Sequence, residues 1–206
     1  MRVLFCVLAL LPLAVNFFAD LPYEPVKIGI FEVSVTLALG ISLAAILLRR
    51  RETQRRLSGL RLHALDWCVL GLFGALALST IFSLNPAASF VGSEERGTGL
   101  WYYWNLLLMY FLLRIWATSA GWKIFLRLSC IVVLLVSAYG IMQWLGWDLP
   151  GLKGAFPLYG RSGPTRVFAT LGHPNFLGTY LAMFVPLGIW SWRSDPRRAW
   201  RLLAAA

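Results

Sequence analysis

Charge is what this sequence has least of: 14% of its 206 residues are Asp, Glu, Lys or Arg, with nine acidic against 19 basic. Soluble domains carry about 25% charged residues, so the composition excludes a water-soluble fold. Histidine is scarcer still. His63 and His173 are the only two, which leaves no plausible metal cluster. The three cysteines, Cys6, Cys68 and Cys130, each lie inside an apolar block with no C-x-x-C pair. They read as buried free thiols, not as a disulfide or redox framework. No glycine-rich Lys-Ser/Thr phosphate loop and no Gly-x-Gly-x-x-Gly fingerprint occurs, which removes the recognisable routes to ATP and NAD. No cofactor and no metal is expected.

What is present is apolar. Hydrophobic residues make up 59% of the chain and fall in long blocks, and lipid requires that spanning backbone satisfy its own hydrogen bonds. The expectation is an all-α, polytopic integral membrane protein, one membrane domain over residues 1–206. The net charge of +10 sits in short basic clusters between the blocks, without interleaved aromatics on an amphipathic surface. It is therefore read as membrane orientation, and no nucleic acid is expected as a partner.

Residues 3–18 form the first block, behind Arg2. The bulky stretch before Ala19 lacks the small residues of a signal cleavage site, so an uncleaved span is expected. A turn with two prolines over 20–27 leads to the second block, 28–48, in which Glu32 is shallow enough to reach the interface. Six arginines follow within 49–61. The third block is 64–82, with Gly71 and Ala75 at a spacing that suits close helix contact. The fourth runs from the aromatic cluster at Trp101 to about Trp116, the fifth from 124 to about 147, and the sixth from about 174 to 192. A basic run over 193–201 precedes Leu202–Ala206, which reads as the start of a seventh span. With the N-terminus in the cytoplasm, 14 basic residues lie inside and five (Lys27, Arg96, Lys153, Arg161, Arg166) outside, accounting for all 19. That asymmetry places the 83–100 and 148–173 loops on the outer face.

The chain is organised around residues 166–187, where a polar loop runs into the sixth block. Pro174 suits a first helical turn because its missing N–H would be unpaired there, and Asn175 or the residue before the proline can cap. A helix is predicted from about residue 174. Its start carries free N–H groups and positive dipole, so Arg166 and Arg161 upstream would join it in an anion site. The plainer alternative is a capped helix with arginines reaching lipid headgroups. Arg96, between glycines in the 83–100 loop, falls on the same side, and three guanidinium groups there suit a phosphate or diphosphate. His173 suits proton transfer or a structural cap, and Asn175 a ligand contact or a cap. The adjacent Glu94 and Glu95 read as solvated charge, not as a glycosidase pair.

The stretch Arg166-Val-Phe-Ala-Thr-Leu-Gly-His-Pro-Asn175-Phe-Leu-Gly-Thr-Tyr-Leu-Ala, with Gly92-Ser-Glu-Glu-Arg96-Gly-Thr-Gly-Leu100 after Ser79-Thr-Ile-Phe-Ser83, resembles the O-antigen ligase and polymerase family over roughly residues 64–206. The resemblance implies the N-terminal portion of a membrane glycosyltransferase in a bacterial inner membrane, with its site facing outward. It implies a lipid-linked oligosaccharide donor on undecaprenyl diphosphate and a glycan or lipid acceptor, in a setting of membrane lipids. It implies that Arg166, with Arg96, neutralises the diphosphate. The family's later outer loop and its histidine have no counterpart in these residues, so the 206 residues are expected to be inactive alone, and His173 is not put in that role. Two other classes stay open: a transporter or flippase-like protein binding an anionic lipid or solute without chemistry, and a scaffold without a ligand. A transporter should show internal repeats and broken spans, and Pro186 is the only strong breaker deep in the sixth block.

Overall fold

The computed structural model describes residues 2–16, 23–48, 61–93, 97–147 and 167–194. Among them every regular element is helical: α1 (Arg2–Leu10), a 3-10 turn (Leu11–Leu13), α2 (Glu24–Leu48), α3 (Ala64–Ile81), α4 (Pro86–Val91), α5 (Leu100–Trp116), α6 (Ser119–Trp144), a second 3-10 turn (Ala169–Leu171) and α7 (Pro174–Ser194). Three of these, α2, α3 and α6, are long and apolar enough to cross a membrane. At 25, 18 and 26 residues they measure roughly 38, 27 and 39 Å at the helical rise, against a hydrocarbon core of about 30 Å.

Two expectations of the sequence shift in the structure. The first block is no single span among the described residues: α1 covers nine residues and gives way to the 3-10 turn at Pro12, where the missing N–H and fixed φ stop the α-helix. Two blocks begin early: the fifth at Ser119 instead of 124, which takes Gly121, Trp122 and Lys123 into α6, and the second at Glu24 instead of 28, which takes Pro25 and Lys27 out of the expected turn. The other apolar blocks become helices close to their predicted bounds.

The chain divides into two compact units, Ile28–Thr118 and Arg2–Lys27 with Ser119–Ala206. In the first, α3 packs on α5, and the short α4 packs on both. Phe73 meets Trp104 at 5.4 Å and Phe31 meets Tyr102 at 5.8 Å between ring centroids. Hydroxyls on the apolar helices turn back on their own backbone: Ser34 Oγ donates to the Ile30 carbonyl, Ser42 Oγ to Ala38, and Thr80 Oγ1 to Leu76. That satisfies polar atoms within their own helix, without a partner helix.

In the second unit, α1 packs along the start of α6, with Phe5 against Trp122 at 5.2 Å and Phe125 at 6.2 Å. Past Gly121, the buried residues of α6, namely Leu126, Ser129, Val132, Val136, Tyr139, Gly140 and Gln143, recur at helical spacing and so form one face. Val132, Val136 and Tyr139 from that face join Tyr23, Ala169 and Leu177 in the unit's core.

Much of the apolar surface faces outward: Leu72, Leu78, Ile141 and Val185 are all more than half exposed. Such a surface is tolerable where the solvent is hydrocarbon. The small-residue pairs are open as well. Among the described residues nothing approaches a Cβ built on Gly71 or Gly178, and none of them makes the helix contact expected at Gly71 and Ala75. The thiol expectation is also corrected: Cys68 is exposed and Cys6 and Cys130 are half-buried, because apolar neighbours in sequence do not become packing neighbours over every face of a helix.

Candidate functional site

Arg96, Arg161 and Arg166, as well as Glu94 and Glu95, lie outside the described residues. His173 and Asn175 are described, and they sit in the most elaborately held junction of the second unit. The helix starts where the sequence puts it, at Pro174. Its cap is His173, whose Nδ1 accepts from the Asn175 backbone N–H at 3.2 Å, while the His173 carbonyl accepts the first helical bond from Leu177 N–H at 3.1 Å. His173 thus does what a capping side chain does, satisfying one of the free donors of the first turn. The Asn175 side chain is exposed at the same end.

Upstream, residues 167–173 fold back on α6 and on the start of α2. Gln143 Oε1 accepts from the backbone N–H of Ala169 at 2.8 Å and of Phe168 at 3.3 Å, so one side-chain amide pairs two loop donors. Ala169 is fully buried at φ 47°, a left-handed conformation that a non-glycine residue adopts only when its surroundings impose it. Gly172 turns the chain at φ 80°, and a Cβ there would stand 2.6 Å from Tyr23 Cγ. Only glycine admits both the dihedral and the ring. Lys27 Nζ donates to the Thr170 carbonyl and lies 5.4 Å from the Tyr23 ring centroid. Tyr23 also stacks edge-on against Phe168 at 5.9 Å.

Beside this junction an apolar groove of about 300 Å³ runs between α6 and α7, lined by Gly140, Ile141, Trp144, Val167, Leu177 and Leu181 with Ser137. Gly140 lets the loop come close, since a Cβ there would stand 3.2 Å from Val167 Cγ1. A wall of this kind takes hydrocarbon and offers almost nothing to a polar head.

Around Arg96 the described residues form the neck of a loop. Gly92 (φ 92°) and Gly99 are in backbone contact: a Cβ on Gly92 would stand 2.5 Å from Gly99 N, and one on Gly99 would collide with Phe90 O. Gly97 N–H closes on Ser93 O at 2.7 Å. The glycines flanking Arg96 therefore pinch the two ends of its loop together.

A second polar constellation escaped the sequence reading. Asp66, 1% exposed in the first turn of α3, accepts at Oδ1 from Tyr110 OH at 2.6 Å. Its Oδ2 accepts from Arg114 Nη2 and from the His63 backbone N–H, both at 2.7 Å. Arg114 Nη2 also donates to the Arg61 carbonyl at 3.2 Å. Three of the roughly four acceptor sites of the carboxylate are engaged, all by groups of α3, α5 or the turn before α3, so it clamps α3 to α5 and caps α3. The signal was there: an acid at the edge of one apolar block and an arginine at the same end of the next. Reading Arg114 only as orientation charge hid the pair.

Among the described residues no group of three or more His, Cys, Asp or Glu side chains could hold a metal ion. No family model, curated protein or solved structure matches the chain.

Proposed function

We propose that this chain forms the donor side of a membrane glycan ligase or polymerase, in which glycan passes from a lipid-linked diphosphate to an acceptor hydroxyl. Its apolar blocks cross a bacterial inner membrane about six times with the N-terminus in the cytoplasm, and the 83–100 and 148–173 loops lie on the outer face. Arg166, with Arg96 and Arg161, neutralises the diphosphate as the leaving group departs.

The observation that carries this reading is the junction at 167–175. The backbone leading from Arg166 into α7 is fixed by Gln143, Tyr23 and Lys27, a degree of restraint beyond what joining two helices needs. The apolar groove opens beside it, giving hydrocarbon a place next to the loop.

The test is Arg166→Ala in cells that make a lipid-linked glycan, scored by donor bound to the purified chain. Donor binding should fall about tenfold, and Arg166→Lys should restore only part of it, because the bidentate fork is lost. Movement of the bound donor across the membrane by the unaltered chain would move the assignment to a transporter or flippase-like protein. No binding by the unaltered chain would leave a scaffold.

A further inference from the structure

Lys27 presents a problem in electrostatics. Its side chain is half-buried in the first turn of α2, where the helix dipole already disfavours a cation. Its ammonium bonds to a neutral acceptor, the Thr170 carbonyl, and faces the Tyr23 ring. Glu24, one turn earlier, is the carboxylate in its neighbourhood, yet among the described residues the ion pair formed is Arg114 with Asp66, in the other unit. Among the described residues Lys27 is thus a partly desolvated cation without a paired anion, and such charges are costly unless something compensates them. Thr170 adds a second unmet demand: its Oγ1 is buried with no hydrogen-bond partner among the described residues. Three residues further on, at His173, the chain enters the 21-residue α7 by its positive end.

We infer that Lys27 is an anion-binding residue, its ammonium taking a phosphate oxygen of a headgroup whose chains lie along the apolar groove that Val167 and Leu177 of the same junction line. The ammonium has three donors and the Thr170 carbonyl uses one, leaving two for a ligand while the loop stays strapped. This rests on the reading of the junction as the donor side, and deepens it by naming a cation on α2 that meets the loop from the opposite direction to Arg166 in sequence.

The experiment uses the whole chain in nanodiscs of phosphatidylcholine, alone, with a minor fraction of phosphatidylglycerol, or with inorganic pyrophosphate added. Thermal transitions are followed by tryptophan fluorescence and retained lipid by native mass spectrometry. The inference requires phosphatidylglycerol to raise the transition and to be retained about tenfold less by Lys27→Met, while Lys27→Arg keeps it. Stabilisation by pyrophosphate in the pure phosphatidylcholine discs, lost in Lys27→Met, would support the same site with a free diphosphate as its source. If Lys27→Met lowers the transition equally in all three settings, Lys27 is a strap alone and the inference is overturned. It is overturned also if neither anion shifts the unaltered chain. Phosphatidylglycerol carries no glycan, so a chain that passes this test and does not bind the lipid-linked glycan refutes only the donor-side reading.

Discussion

Replacing Asp66 by Ala removes a carboxylate that accepts three hydrogen bonds, from Tyr110, Arg114 and His63. Breaking a buried ion pair from one side costs about 3–5 kcal/mol, because a charge is left without its partner. The Arg114 side chain is 30% exposed and keeps the Arg61 carbonyl, so part of that penalty is relieved by solvent and the lower end applies, about 3 kcal/mol. A neutral interhelical bond in a membrane protein is worth far less, about 0.6 kcal/mol on average. The two cases are therefore separable. Tyr110→Phe, which removes one neutral donor, should cost about 1–2 kcal/mol, and Arg114→Lys less than Asp66→Ala because a cation remains. Unfolding by SDS titration in mixed micelles gives these differences, and the double variant Asp66→Ala with Arg114→Ala should cost less than the sum, since neither charge is then stranded. A cost for Asp66→Ala below about 1 kcal/mol, or strict additivity in the double variant, would refute the clamp as a charge-driven device.

The same unfolding assay should find Gly172→Ala destabilised by about 2–4 kcal/mol, from the left-handed dihedral and the displaced Tyr23 ring together; a neutral result would mean that the junction yields easily. Topology is open to cysteine labelling in a background with the three native thiols replaced. Ser58→Cys should react with an impermeant maleimide only in permeabilised cells, and Ser93→Cys in intact spheroplasts. The reverse pattern would invert the proposed orientation and remove the outer-face site with it.

The helices were legible because their signals are local. Apolar blocks of spanning length, Pro174 at a helix start and basic clusters between blocks each act within a few residues, and α2, α3 and α7 begin or end close to where those signals lie. Where a local signal was overlooked, as with Pro12 in the first block, the boundary moved. The glycines at 92, 99 and 172 were visible as loop residues, but the backbone or ring that each must admit was not, because that neighbour comes from elsewhere in the chain.

By itself, then, the sequence determined the helical architecture, the apolar blocks long enough to cross a membrane and the start of α7, since each such block satisfies its backbone internally. Tertiary structure alone decided which polar groups meet. Asp66 finds Arg114 and Tyr110 over 40 residues away, and Lys27 finds Thr170 at a separation of 143. Pairings of that kind depend on helix rotation and loop path, which no periodicity in an almost uniformly apolar block records.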